Sequence, residues 1–428
     1  MKIKNSVLDD VIIFDFISLI GAIVLMVMLG HYHFFIAVGM IIVVVSLVVI
    51  LFIFWNYFLL FSISFRKSCK LFSSYWQLRK DLYDSAVFSM RELHNADGKT
   101  ETRAILPKIR FVLVDKNEIQ LKIENRPNYE IKLMNLNFGS SLQGWVINDK
   151  YLTNDNHWMI YELMNEDVEQ AHFTKYEKFK NWLAKYKFSN YSYVLDNYTT
   201  RKLQSLYVFG VTGSGKSFLV EMLLLELVAQ GINDISICDP KNSDLAVIAN
   251  ILHWQLSIDP DSSVTMLANA VQELEQRQTK LNTLMNKDGE LAKTYDDYGL
   301  KPKIVVIDEV SALVALMNKK QLAQFVAMVK QIVLKGRQLG VYVILIQQKY
   351  LSTDMPTSVK ENCGVILMGK NGAMTQQTTF NQQLTPRSMP IGSGYVQTPT
   401  DIEPRYFYAP YCDFDVLQAL QSDCDLQR

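Results

Sequence analysis

Gly210-Val211-Thr212-Gly213-Ser214-Gly215-Lys216-Ser217 has the form G-x-x-x-x-G-K-[ST]. Residues of these types at this spacing hold triphosphates. The glycines let backbone N–H groups turn inward around phosphate oxygens, Lys216 reaches the terminal phosphates, and the Ser217 hydroxyl can ligate Mg²⁺. We take residues 210–218, Phe218 included, as the nucleotide-binding segment, with ATP and Mg²⁺ as the expected ligands. Asp308-Glu309 ends the apolar run Ile304-Val305-Val306-Ile307 and is a second chemical signature. An acid at Asp308 suits the Mg²⁺ shell beside Ser217, and Glu309 suits a base that orients and deprotonates a water attacking the γ-phosphate. Gln347-Gln348 ends another apolar run, and the Gln348 amide is placed to contact the γ-phosphate or that water. Arg337, just before this run, either is structural or reaches a neighbouring subunit's phosphate as an arginine finger. Lys216, Glu309, Gln348 and Arg337 are the expected catalytic set. Asp239-Pro240-Lys241 reads equally well as a turn.

These residues need a scaffold. Leu206-Tyr207-Val208-Phe209 reads as a buried strand, and Leu219, Met222, Leu223, Glu226 and Leu227 recur at helical spacing behind the loop. Further apolar strands are expected at 235–238, 304–307, 341–346 and 364–367. A helix is expected over 319–338, with Leu322, Phe325, Val326, Val329, Ile332 and Val333 on one face. Strands alternating with helices imply an α/β fold with a parallel sheet covered on both sides, the phosphate loop at the carboxyl end of its strand.

Residues 11–30 and 34–61 are apolar stretches around Gly30-His31-Tyr32-His33. Each is long enough to cross a hydrocarbon core, which takes about 20 residues. Lys2 and Lys4 precede the first, Arg66, Lys67, Lys70, Arg79 and Lys80 follow the second, and the loop between has neither Lys nor Arg. The positive-inside rule predicts two membrane spans with both termini in the cytoplasm. Asp9, Asp10 and Asp15 lie near the interface, where they reach water.

Between anchor and motor, residues 66–94 read as a juxtamembrane helix and 95–98 as a turn. Runs at 111–114, 119–123, 131–133 and 158–161, with turns at 115–117 and 126–128, predict strands of a small α+β domain. Residues 173–188 alternate lysines with aromatics, as in Lys178-Phe179-Lys180 and Trp182. A solvated amphipathic helix is the simpler reading of that pattern, and a nucleic-acid face the sharper one. The expected domains are a transmembrane hairpin at 1–65, a helix and linker at 66–104, the α+β domain at 105–195, the motor at 196–412 and a tail at 413–428.

Charge is balanced, with 43 basic and 43 acidic residues. That argues against a protein that coats nucleic acid non-specifically. Any such contact must be local. Cys69, Cys238, Cys363, Cys412 and Cys424 have no metal spacing and read as reduced cytosolic thiols.

Several motifs then coincide in order. Residues 206–217, Asp239-Pro240-Lys241, Glu275 with Arg277, Ile304 to Glu309, Lys335-Gly336-Arg337 with Gly340, and Gln348-Lys349 resemble the motor domain of the FtsK/SpoIIIE family of DNA translocases. The resemblance covers residues 195–410 and implies a RecA-like P-loop ATPase fold, a homohexameric ring and sequence-independent DNA as substrate. Two spans, a small domain and a motor are similar to the coupling proteins of Gram-positive conjugative plasmids and integrative elements. That implies delivery of relaxase-bound single-stranded DNA to a type IV secretion channel. The resemblance also leaves a chromosome segregation or division translocase, and a nucleotide-switched membrane scaffold is the reading from another class. Only 411–428 follow the motor, where division translocases carry a DNA-reading module. The family often has an Arg after the strand at 364–368; here Gln376 and Gln377 stand there, with Arg387 further on, which raises the weight on Arg337. Lys287, Lys293 and Lys301, and Lys319-Lys320, are candidates to face a ring lumen.

Overall fold

In the computed structural model of the chain, the residues described are 2–4, 7–28, 33–59, 62–94, 100–114, 118–136, 138, 141–142, 144–165, 170–186, 191–197, 199–382, 384, 389–401 and 403–426. The expected loop at 30–32, the turns at 95–98 and 115–117, and Arg387 lie outside them. The chain divides into two compact units, residues 1–167 and 168–428.

In the first unit, β1 (Lys2–Lys4) precedes two apolar helices, α1 (Val7–Met28) and α2 (His33–Tyr57). They pack along one another, with the Ser18 and Ser46 hydroxyls 3.0 Å apart. Residues Ala37–Tyr57 of α2 have a mean hydropathy of 3.3, long and apolar enough to cross a membrane; the described apolar run of α1, Phe14–Val24, is shorter. The amphipathic helix α3 (Phe65–Asp84) starts at Ser64, whose side chain accepts the Lys67 N–H. β2 (Ser89–His94) and β3 (Thr100–Ile105) pair with β1 in a small sheet, order β1-β3-β2.

β4 (Ile109–Leu113), β5 (Glu118–Glu124), α4 (Glu130–Met134), β6 (Trp145–Leu152) and β7 (Trp158–Asn165) complete the unit. The four strands make an antiparallel sheet, order β4-β5-β7-β6. Ile119, Leu121 and Ile123 alternate inward onto Leu71, Leu78 and Leu82 of α3. The strand expected at 131–133 is instead the helix α4, and Tyr161 Oη donates to Leu133 O at 2.7 Å. Two apolar positions two apart are too few to separate the two periods.

The second unit opens with β8 (His172–Phe173), α5 (Tyr176–Leu183), β9 (Ser192–Val194) and β10 (Thr200–Lys202). It continues as β11 (Leu206–Gly210), α6 (Lys216–Ala229), β12 (Asp234–Cys238), α7 (Asp244–Leu252), β13 (Gln255–Ser257) and the long α8 (Pro260–Asp288). β14 (Lys303–Ile307), α9 (Val310–Leu316), α10 (Lys319–Leu339), β15 (Val341–Gln347), α11 (Thr357–Lys360), β16 (Gly364–Met368) and α12 (Ala373–Phe380) follow. β17 (Ser393–Gln397), β18 (Arg405–Tyr408), β19 (Tyr411–Cys412) and α13 (Val416–Leu426) end it.

Eight strands form the central sheet, order β13-β12-β14-β15-β11-β16-β17-β18. The first six run parallel, and the near-continuous apolar runs of β11, β14, β15 and β16 suit a sheet covered on both faces. The last two are antiparallel, so the sheet is mixed rather than purely parallel. One face buries Leu223 and Leu227 of α6 and Leu245 of α7; the other buries Leu274 of α8, Leu313 of α9 and Phe325, Val329 and Ile332 of α10. One position in the ordering matters most for chemistry. β15 lies between β11 and β14, so the strand ending in Gln347 separates the phosphate-loop strand from the Asp308-Glu309 strand.

Three expectations change. Phe179 and Trp182 of α5 are buried in the core with Leu206 and Leu223, so the Lys-aromatic alternation is not a nucleic-acid face. Residues 170–195 build the second unit, where β8 pairs with β19, rather than the small α+β domain. Residues 416–426 are not a tail: α13 packs on α6 and α7 with Leu420 fully buried.

Candidate nucleotide site

β11 is buried along its whole length and delivers Gly210 at its carboxyl end. Gly210 has φ +153°, and a Cβ there would meet Met368 O and Ser214 Oγ, each at 2.7 Å. Only glycine fits this turn beside β16. Gly215 stands at the α6 N-cap in the left-handed region, φ 97°. Residues 211–213 and Ser217 are exposed, while Ser214 is buried and its hydroxyl has no hydrogen-bond partner. A loop of this shape with an orphaned hydroxyl fits a phosphate group. Lys216 Nζ folds back onto Gly210 O at 2.5 Å and Val211 O at 3.1 Å. Burial pushes this ammonium down, opposed by the nearby charges of Glu309 and Asp308. Phe218 stacks on Tyr411, ring centroids 5.8 Å apart.

β14 carries the acids to the same edge. Ile307 is in register with Leu345 and Cys238, and Phe209 with Gln347, so the ends of β11, β12, β14 and β15 align. Asp308 is half-buried and its N–H is held by Cys238 O at 2.8 Å. Its carboxyl is pushed up to about 6, first by burial and then by the Asp239 and Glu309 carboxylates. Such an excess of acid is the electrostatics a divalent cation relieves, so the donors fit Mg²⁺. Among the described residues no group of three His, Cys, Asp or Glu side chains is set to hold a metal alone.

Glu309 sits at φ 47°, ψ 64°, the left-handed region that costs a non-glycine residue. Its Oε2 accepts from Lys241 Nζ at 2.9 Å and from Gln348 Nε2 at 3.5 Å. Gln348, expected to contact the γ-phosphate or the attacking water, thus stands beside the Glu309 carboxylate. Arg337 does not join this set. It is exposed near the end of α10, just before β15 begins, at the amino ends of the strands and opposite the phosphate loop. Arg277 is structural, donating to Leu339 O, Gly340 O and Lys301 O at 2.9–3.2 Å.

Sequence reasoning left three participants unassigned. Lys241 reaches Glu309 because β12 neighbours β14, a pairing the sequence does not state. Asp239 is fully buried, and its carboxylate accepts from the Lys241, Ser243 and Ala246 amides, which makes Asp239-Pro240-Lys241 a turn and Lys241 a side chain held by it. Gln347 is buried and turned away from Gln348, bonding Tyr207, Ser311 and Asp354.

An AAA domain family matches residues 200–353. The FtsK domain-containing protein YdcQ of Bacillus subtilis (strain 168) is 29% identical over 176 residues, 40% of this chain and 36% of that protein. DNA translocase FtsK of Leptospira interrogans (serovar copenhageni) is 32% identical over 180 residues, 38% of this chain and 18% of that protein. The chain contains an AAA-type domain and is similar over part of its length to FtsK proteins. The aligned region spans about a third of YdcQ and under a fifth of the Leptospira FtsK. The pCW3 conjugation coupling protein TcpA, solved in monomer form with ATPgS, has a similar fold. Its TM-score is 0.51 at 17% identity, covering 83% of this chain and 99% of that one. The AAA match at residues 200–353 contains the phosphate loop and the strands β11 to β15.

Proposed function

We propose that this chain is a membrane-anchored ATPase that moves DNA. It acts as a coupling protein delivering relaxase-bound single-stranded DNA to a type IV secretion channel, and works as a homohexameric ring. The reading rests on one observation: Glu309, at the tip of β14, contacts Gln348 at the end of β15, the strand beside the phosphate-loop strand β11.

In this reading residues 210–218 hold ATP, with Lys216 leaving the loop carbonyls for the terminal phosphates. Ser217 and Asp308 would hold Mg²⁺, which supplies charge neutralisation on the phosphates. Glu309 takes the proton of a water aligned with the γ-phosphate, and Gln348 fixes that water's orientation. Arg337 can meet a phosphate only across a subunit boundary, as an arginine finger. Contacts to DNA go to the phosphate backbone, so sequence matters little. α1 and α2 form a two-span anchor in the cytoplasmic membrane with both termini inside.

The test uses the full chain in lipid nanodiscs. ATP turnover should rise with added single-stranded DNA, and Glu309→Gln should lower turnover at least about 100-fold while nucleotide still binds. Equal rates with and without DNA at low salt count against the translocase, and full turnover by the variant removes Glu309 as the base. The FtsK relatives favour one second reading, a division or segregation translocase. Deleting the gene separates the two: lost DNA transfer with an assembled channel supports coupling, and a chromosome segregation defect supports the second. One hydrolysis event per protein without repeated cycles marks a nucleotide-switched scaffold.

A further inference from the structure

Beneath the tip of β15 lies a polar cluster, buried at Tyr207 and Gln347 and part-buried at Ser311 and Asp354. Gln347 is 1% exposed. Its Nε2 donates to Ser311 Oγ at 2.6 Å and to Asp354 Oδ2 at 2.7 Å, and its Oε1 accepts from Tyr207 Oη of β11. Ser311 Oγ donates to the same Asp354 oxygen at 2.8 Å. Four side chains from β11, α9, β15 and the loop after β15 thus close one network. Such a cluster in a core costs more than apolar packing unless every member is satisfied, and then it fixes one arrangement.

The arrangement it fixes contains the base. Ser311 lies two residues after Glu309, in the first turn of α9. Gln347 and Gln348 are consecutive, one reaching Ser311 and the other Glu309. Two adjacent amides therefore grip two positions of one short segment. Glu309 needs such support, since its positive φ persists only where the surroundings over-determine it. Asp354 joins the network from the loop at 348–356, whose residues 348, 349, 352 and 353 are exposed.

We infer that Gln347, Ser311 and Asp354 are positioning residues that set the Glu309 carboxylate against Gln348 and tie it to the loop at 348–356. Displacement of that loop shifts Asp354, then Ser311, then the turn that carries Glu309. This rests on the ATPase reading for its catalytic consequence but not for its mechanical one.

The experiment compares Asp354→Ala, Asp354→Asn and Ser311→Ala in the full chain. Asn keeps one oxygen to accept both bonds now made to Oδ2. Asp354→Ala is expected to lower kcat about 10- to 100-fold with the KM for ATP within about twofold, because a misplaced base costs rate rather than binding. Asp354→Asn should recover turnover to within about threefold of the parent. Hydrogen exchange reads the mechanical part without any hydrolysis. Amides of 310–313 should exchange at least about fivefold faster in Asp354→Ala, with those of α6 unchanged.

Unchanged exchange at 310–313 overturns the inference, as does an Asp354→Asn variant as slow as Asp354→Ala. If Asp354→Ala does not fold, Ser311→Ala carries the same test, and full kcat with unchanged exchange in it refutes the network. A parent chain that fails to hydrolyse ATP sinks the ATPase reading, and the exchange result still decides the linkage.

Discussion

Lys241 Nζ lies 2.9 Å from Glu309 Oε2, so the side chain placed to accept a proton is held by a cation from the neighbouring strand tip. Glu309 is largely covered, 14% exposed, whereas Lys241 is half in solvent at 49%. A carboxylate held in an ion pair is not free to turn toward an attacking water. Lys241 also acts on the charge of Lys216, so a triphosphate held there offers it a stronger anion. Lys241→Met should raise ATP turnover without DNA at least about threefold at saturating ATP and also raise KM, since one group both restrains the base and meets the phosphate. Steady-state assays check both, and an unchanged basal rate removes the restraint.

Asp308 makes a prediction about pH. Its carboxyl is raised from 3.8 to about 6, so between these values the folded chain holds a proton that the unfolded chain has released. Its contribution to stability therefore falls as pH rises from about 4 to 6, and the full penalty stands at neutral pH. Asp308→Asn removes it. The nucleotide-free variant should melt about 3 °C above the parent near pH 7.5, and the gap should close near pH 4.5. Calorimetry at the two pH values decides, and a parent that melts higher at neutral pH contradicts the assignment.

Glu226 is fully buried in α6, with Oε2 accepting the Val194 N–H at 2.8 Å and Oε1 without a partner. Burial pushes its carboxyl well above 4.5. The sign matches that of Asp308: stability drops as pH climbs from about 4.5 through the folded value. Glu226→Gln keeps the acceptor and loses the titration. The variant should show a flatter decline of Tm between about pH 5 and pH 8 than the parent. The readout is the slope, and parallel slopes would show that Glu226 does not titrate in this range.

What the sequence disclosed is the part written in local patterns. The phosphate loop, its strand, and Asp308-Glu309 at a strand tip follow from residue type and apolar runs, and the structure sets them at one edge. That Gln348 stands at the end of a strand was legible for the same reason. Strand order was not. Lys241 meets Glu309 only because β12 pairs with β14, and Gln347 meets Ser311 only because β15 pairs with both β11 and β14. Arg337 shows the converse, since helical periodicity placed it correctly in α10 but could not say to which end of the sheet that helix delivers it. Phe179 and Trp182 were ambiguous because a charged helix with one aromatic stripe looks alike whether the stripe meets protein or nucleic acid.

The helix α13 gives a prediction independent of nucleotide chemistry. Its residues follow β19 with little sequence signal, yet Leu420 is fully buried, and Ala419 and Cys424 are nearly so. They pack on α6, the helix that begins at the phosphate loop, and Tyr176 hydrogen-bonds to Asp423, which ties α5 to α13. Removing a buried leucine side chain costs its transfer energy plus a cavity, about 2–5 kcal/mol. Leu420→Ala should therefore lower the unfolding free energy of the second unit, read from its denaturant curve, by an amount in that range. Nucleotide affinity at low temperature should stay within about threefold, because the loop itself is untouched. A loss below about 0.5 kcal/mol, the level of a surface substitution, would mean that α13 does not belong to this core.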